Sequence, residues 1–444
     1  MARPSDPFPF LKRIYQNLDP NKPLRPGNEF YVPVYSGSDG YDPVEEIKTR
    51  IQFSDGESRH FFSGFRGSGK TTELFRLKQE LEELGYIVFY ADALRYLNPN
   101  LPIEISDLLI VLAGAFSDAI EDANPTIRLV HESYWERLRH YLTTTEIEWK
   151  EFSLATKDVG SLKASLLETP SFRQKVQELM SSRLSELEGQ VKKFFEDGVK
   201  AIREERPGAQ IVFLFDQLEQ LRGTRRTDQE VLASVERLFA QYRDRLNLPF
   251  IHAVYTVPPW LKFILPGTAI TILPSIRQWE NNETRVACAA GNERLWRVLE
   301  ARFGSREELL EFFGSEAGVG RILAMCGGHF RDLLRLAAHT VVLTKQPPAS
   351  GSAIDAAIRE ARSSYLPIAA ADAVWLQNIA ESRSAGLQTA DAADVNRFTH
   401  FLDTHLVLFL RNGEEWYDVH PLIREEVAEE ALRAARAVVP PAHG

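Results

Sequence analysis

The feature that most constrains this chain is a short run, Gly64-Phe65-Arg66-Gly67-Ser68-Gly69-Lys70-Thr71, which fits G-x-x-x-x-G-K-[ST]. Glycines at those positions let successive backbone N–H groups curl around phosphate oxygens with no Cβ in the way. The context fits. A short apolar strand, His60 to Ser63, precedes the run, and Thr71 to Glu83 follows as an amphipathic helix with Leu74, Leu77 and Leu81 spaced three and four apart. A helix starting at the loop adds the positive end of its dipole to the anion site. The pattern therefore predicts that Gly64, Arg66, Gly67, Ser68, Gly69, Lys70, Thr71 and Thr72 line a phosphate site for ATP. Lys70 is expected to neutralise the β- and γ-phosphates and Thr71 to offer its hydroxyl to Mg²⁺.

Continuous apolar runs mark strands buried on both faces. Tyr86 to Ala91 ends at Asp92, Ile211 to Phe215 ends at Asp216, and Phe250 to Val257 and Thr268 to Leu273 supply two more. With the strand before the loop they make five, separated by helical stretches, so the expected fold is α/β with a five-stranded parallel sheet. The expected organisation is an N-terminal segment over residues 1–41 and a sheet core over 42–274, with an insertion at about 145–205. A helical lid over 275–346 and a C-terminal module over 353–444 follow. Within the insertion, Trp149 to Thr156 and Ser161 to Leu167 are expected to pair as a hairpin around Asp158-Val159-Gly160, and Phe172 to Glu205 reads as one long helix or two. Pro347 to Ser352 reads as a linker. Helices at Asp372 to Ser382 and Asp394 to Leu402, then a hairpin turning at Asn412-Gly413, point to a winged helix.

Asp216 stands where a carboxylate holds a magnesium ion, at the carboxyl end of a buried strand. Glu219, three residues on, is the nearest carboxylate that could orient an attacking water. The bulk composition is that of a folded protein, with 44% hydrophobic and 26% charged residues, and the net charge of −10 argues against a non-specific nucleic-acid coat while leaving room for a local basic patch. Cys288 and Cys326 show no zinc or redox spacing, and His252, His329 and His420 show no ligand spacing, so all are expected to be structural. No stretch is long and apolar enough for a membrane helix, which makes the cytoplasm the expected location and a membrane partner unexpected.

Taken together, the loop, Asp216-Gln217-Leu218-Glu219, the strand ending Val254-Tyr255-Thr256-Val257-Pro258, and Gly327-Gly328-His329-Phe330-Arg331-Asp332-Leu333-Leu334-Arg335 resemble bacterial P-loop ATPases of the AAA+ class and its STAND-like and KAP-like relatives. Origin-recognition ATPases share the plan, including a C-terminal winged helix. The resemblance implies that Thr256 senses the γ-phosphate, that Arg331 reaches it from the lid, and that Tyr31, Val32 and Tyr41 lie near adenine. It also implies an ATPase acting as a nucleotide-dependent switch or assembly component in a regulatory or antiviral defence complex. The partner expected is a protein effector or a second copy of the chain. A DNA-binding initiator and a scaffold that holds ATP without hydrolysing it are the alternatives. Two departures stand out: Gln217 occupies the position where such enzymes carry a catalytic glutamate, and no arginine lies between Pro258 and Thr268 to serve as a finger.

Overall fold

In the computed structural model, which describes residues 6–36, 41–123, 133–144, 154–224, 226–265, 267–282, 284–387 and 392–438, five strands form one sheet in the order β2-β3-β4-β1-β5. They are β1 (Ser58–Gly64), β2 (Ile87–Asp92), β3 (Ile211–Asp216), β4 (Ile251–Val257) and β5 (Ile270–Leu273). The ladders β2 to β3, β3 to β4 and β1 to β4 are parallel. Every residue of β3 and β4 is buried, which is why β3 reads as an unbroken apolar run as far as Asp216 and β4 as an apolar run broken only by His252 and Thr256. The α/β class and the five-stranded parallel sheet are those expected. The order adds what spacing could not show: β4 lies between β1 and β3. Since parallel strands leave a sheet at one edge, the carboxyl ends of β1, β3 and β4 share that edge.

By backbone contacts the chain divides into two compact units, one of Met1–Pro43, Gly64–Arg76 and Leu273–Gly444, the other of Val44–Ser63 and Leu77–Ile272. In the second unit the helix Ile105–Ala123 links sheet and insertion through an aromatic chain. Phe116 meets Phe213 of β3 at 5.4 Å between ring centroids and Phe195 at 5.0 Å. Asp118 on the same helix accepts bonds from Tyr96 Oη (3.0 Å), Trp135 Nε1 (3.0 Å) and Lys163 Nζ (2.8 Å). The Trp135 ring lies against the backbone of Gly114, where an added Cβ would stand 2.1 Å from its Cζ2. Gly114→Val is therefore expected to destabilise this unit by about 3 kcal/mol, more than the helix propensity of valine returns. Urea unfolding followed by tryptophan fluorescence checks it, an unchanged midpoint being the contrary result.

The insertion is helical where a hairpin was expected. Ser161 to Leu167 lie in the helix Val159–Glu168, because the Asp158 side chain caps it by accepting the Ser161 N–H at 2.7 Å. Most of the other expected strand, 149–153, lies outside the described residues. Phe172 to Glu205 forms two helices, Pro170–Ser182 and Leu184–Glu205, the second burying Leu187, Val191, Phe194, Phe195, Val199 and Ile202 on one face.

In the first unit the helices Ala289–Phe303, Arg306–Phe313, Glu316–Met325 and Phe330–Leu343 follow β5. Ser305 and Ser315 cap two of them, accepting the N–H of Glu308 and of Gly318. The segment read as a linker runs into a further helix, Gly351–Ser363, capped by Ser350 and burying Ile354, Ala357 and Ile358. The helices Ala370–Ser382 and Ala392–Asp403 lead to an antiparallel hairpin, β6 (Val407–Asn412) and β7 (Glu414–Val419), and a last helix, Arg424–Val438. Among the described residues no helix is long and apolar enough to cross a membrane.

Candidate nucleotide site

β1 runs into the glycine loop, and the helix Lys70–Glu83 begins at its last lysine. Gly67 and Gly69 hold φ of +88° and +91°, a backbone that side-chain-bearing residues avoid, so the loop turns tightly enough to cup an anion. The Lys70 side chain is buried. Its Nζ donates to the carbonyls of Gly64 (2.8 Å) and Phe65 (2.9 Å), which keeps the ammonium inside the curve of the loop. Ser68 is buried too, and its Oγ has no hydrogen-bond partner. A left-handed cradle, an internal cation and an orphaned hydroxyl are the donors a polyphosphate takes up, so these residues fit ATP. Thr72 Oγ1 instead accepts the Leu24 N–H at 3.1 Å and ties the N-terminal segment to the loop's helix.

Arg331 lies against the loop. A Cβ on Gly67 would stand 2.7 Å from Arg331 Cβ and 2.8 Å from its Nε, so only glycine allows this approach. The arginine sits in the first turn of the helix Phe330–Leu343, and His329, just before it, donates from Nε2 to the Arg66 carbonyl at 3.1 Å. The Arg66 side chain itself is exposed. The residues nominated for adenine have other engagements. The Arg411 guanidinium lies 3.7 Å from the centroid of the Tyr41 ring, and Tyr31 donates its N–H to the Asn28 carbonyl at 3.0 Å.

Two supports of the loop were not legible in the sequence. Buried Arg76 pairs with Asp42, Nη1 to Oδ2 at 2.9 Å, and with Glu73 at 2.9 Å. Burial alone would lower the guanidinium's pKa, but the Asp42 hydrogen bonds and the Glu73 charge outweigh it and hold it above the ordinary arginine value. Tyr35 donates to the Pro274 carbonyl at 2.8 Å and meets the Phe330 ring edge-on at 6.4 Å. Only the i, i+3 spacing of Glu73 and Arg76 on one helix face was a local clue.

The acidic strand end belongs to the second unit. Asp216 is fully buried at the end of β3, accepting from Tyr90 Oη at 2.9 Å and from the Gln217 N–H at 2.8 Å. Burial first, and the Asp216 charge second, push the Tyr90 phenol well above its ordinary value, so it stays a donor. Gln217 turns left-handed at φ +71°, and its Nε2 donates to Asp92 Oδ2 at 2.7 Å. That explains the departure at this position: the glutamine is a turn residue pinned to the neighbouring strand. The next residues form a short 3₁₀ turn, Leu218–Gln220, which buries Glu219. Thr256 Oγ1 on β4 accepts the Leu218 N–H at 3.2 Å and anchors that turn. Burial, with the Glu219 charge adding to it, raises the Asp92 carboxyl. Tyr90 and Asp92 were missed, although their two-residue spacing places them on one face of β2, and Asp92 pairs in register with Asp216.

No protein-family model matches the chain, and none of the curated proteins matches it. Among solved structures it is similar to the ORC2 protein of Aeropyrum pernix, solved as ADPNP-ADP complexes, with TM-score 0.40, 12% identity, and coverage of 95% of this chain and 98% of that one. It is similar to a Walker-type ATPase of Pyrococcus abyssi, with TM-score 0.36, 11% identity, and coverage of 93% and 99%. For Cdc6p of Pyrobaculum aerophilum the TM-score is 0.33 and the identity 10%, with coverage of 93% and 98%. These likenesses are too distant to carry residue roles, which rest on the chemistry above.

Proposed function

We propose that this chain binds ATP with Mg²⁺ and hydrolyses it slowly, as a nucleotide-dependent switch of the AAA+/STAND-like kind. The observation that carries the reading is the loop itself: two left-handed glycines, a buried Lys70 ammonium held inside the curve, and Arg331 packed on Gly67. Gly64, Arg66, Gly67, Ser68, Gly69, Thr71 and Thr72 would surround the phosphates, and Thr71 and Asp216 would hold the metal, whose chemistry is to neutralise charge on the transferring phosphoryl group. Glu219 would orient water, while Thr256 would sense the γ-phosphate and Arg331 stabilise it. Tyr31 and Tyr41 remain the proposed neighbours of adenine. In domain terms, residues 42–274 would be the catalytic core, 275–346 the lid and 353–444 a winged helix. Calorimetric titration of the full chain with ATP and Mg²⁺ tests this, and no heat of binding at micromolar protein would sink it.

The switch would work on a protein effector or a second copy of the chain, as a regulatory or defence component. Charge favours a protein partner over DNA. Between Asp372 and Arg436 there are twelve acidic and six basic residues, a balance of 6 − 12 = −6. Five of the six arginines are also engaged. Arg397 pairs with Asp372 and covers the Trp375 ring, Arg411 covers Tyr41, and Arg424 pairs with Asp418. Arg383 bonds Asn281, and Arg433 bonds Glu430. A major-groove reader needs such cations facing phosphates. Random-sequence duplex titrated across a salt series with ATP present is expected to bind no tighter than non-specific proteins do, about 10⁻⁴ to 10⁻⁶ M at physiological salt. Sub-micromolar binding that is steep in salt and lost on removing the residues after Pro367 would favour the initiator reading.

A further inference from the structure

Four elements of the first unit meet at one carboxylate. Asp332 Oδ2 lies 2.7 Å from His329 Nδ1, 3.1 Å from Tyr365 Oη, 3.5 Å from His420 Nε2 and 3.9 Å from His405 Nδ1. His329, Asp332 and His420 are buried. The His405 ring stands edge-on to His329 at 4.2 Å between centroids and to Phe65 of the glycine loop at 5.7 Å, while Tyr365 stacks on His420 at 5.1 Å. His405 and His420 flank the C-terminal hairpin, His405 just before β6 and His420 just after β7. Residues of the C-terminal module and of the nucleotide loop thus touch the same cluster.

Donor and acceptor chemistry fixes the protons. The Arg66 carbonyl can only accept, so His329 Nε2 carries hydrogen. Its Nδ1 faces a carboxylate that can only accept when ionised, so Nδ1 carries hydrogen as well. Asp332 is ionised: burial would raise its carboxyl, but His329, His405 and His420 outweigh burial and hold it well below the usual range. His420 Nδ1 accepts the Leu422 N–H at 3.3 Å, which leaves hydrogen on the Nε2 that lies 3.5 Å from Asp332 Oδ2. Burial, then the His329 charge, press His405 down to about 3, so that ring is neutral. The buried Cys326 thiol, pushed up to about 12 by burial, adds no charge, and Arg331 and Arg335 are the nearby cations on the same helix. A metal shared by His329, Asp332 and His405 would hold two ligand atoms roughly 3.3 Å apart at bond lengths near 2 Å. The 2.7 Å spacing of His329 and Asp332 holds a proton instead.

We propose that His329 is a fixed imidazolium that couples the nucleotide loop to the C-terminal module, with one N–H on the Arg66 carbonyl and the other on the Asp332 carboxylate shared with His405, His420 and Tyr365. It is a positioning residue. Holding the Arg66 carbonyl outward keeps the neighbouring N–H groups of the loop turned inward, and a shift of the hairpin that moves His405 or His420 changes what Asp332 offers His329. The nucleotide half of this coupling rests on the ATP reading, so the test uses no nucleotide.

Full-length protein carrying ¹⁵N-histidine is examined by long-range ¹H–¹⁵N correlation at pH 7.5, with His329 assigned by its loss in His329→Gln. Both its ring nitrogens are expected in the protonated range, and in Asp332→Asn the ring is expected to become a single neutral tautomer. A neutral His329 in the wild type overturns the proposal. Hydrogen exchange supplies the second arm. Peptides covering residues 64–72 are expected to exchange about tenfold faster in Asp332→Asn and in the His405→Asn/His420→Asn double variant. Peptides from β3 serve as the control for folding. Unchanged loop exchange in both variants overturns the coupling, while failure to bind ATP is read separately by calorimetry.

Discussion

Lys70→Ala is expected to remove tight binding of Mg·ATP, raising Kd by at least ~100-fold in calorimetry. The wild-type ammonium lies inside the loop on the Gly64 and Phe65 carbonyls, so it is already desolvated and aimed before any phosphate arrives. Each charge-assisted hydrogen bond to a phosphate oxygen contributes about 1.5–3 kcal/mol, and one ammonium spans two phosphates. Removing it leaves the polyphosphate to backbone dipoles and Arg331. Lys70→Arg is not expected to rescue, because a planar guanidinium is wider than the curve that holds a point charge. Unchanged affinity in Lys70→Ala would remove the phosphate-loop assignment and everything proposed from it.

The second large effect is on turnover. The wild-type protein is expected to release phosphate at ~1 s⁻¹ or slower, the low end of ordinary enzymes, because Gln217 cannot take a proton and Glu219 stands two residues later than the usual base. Glu219→Gln is expected to slow it by a further ~100-fold while leaving ATP affinity within a few-fold, the signature of a general base. The companion variant is Asp216→Asn, preferred to Asp216→Ala. Alanine would leave the Tyr90 hydroxyl and the Gln217 N–H without an acceptor in a buried site, whereas asparagine keeps an oxygen for one of them while weakening metal binding. Phosphate release that survives Glu219→Gln but stops in Asp216→Asn would show that Glu219 is not the base.

What could be read from the sequence follows a physical divide. The glycine loop and the buried strands were legible because one local rule dictates each: left-handed backbone at Gly67 and Gly69, and two-sided burial at Ile211 to Phe215. The insertion was misread because Ser161 to Leu167 carries no period that separates strand from helix, and one capping carboxylate, Asp158, decided the outcome. The helix Gly351–Ser363 was missed because Ser350 and Gly351 look like a linker, although Ile354, Ala357 and Ile358 follow at helical spacing. The histidine cluster was out of reach altogether. His329 and Asp332 are one turn apart, but His405 and His420 come from a hairpin far along the chain, and only the tertiary fold shows that they share a carboxylate.

The order of synthesis gives the discontinuous build of the first unit a meaning in time. Its glycine loop is made early, yet Arg331, His405 and His420, the residues packed on or beside it, come from the last segment, Leu273–Gly444. At ~5–20 residues per second, a ribosome needs on the order of tens of seconds to pass from Arg76 to His420. Throughout that interval the nascent chain carries the loop with Arg76, Asp42 and Glu73 beside it but without Arg331, His405 and His420. A chain stalled or cut before the hairpin should therefore fail to retain nucleotide, even though its glycine loop and all five sheet strands are already present. Competence to hold ATP would then arrive only once the hairpin and His420 have been made, so nucleotide retention would report that translation has passed that point.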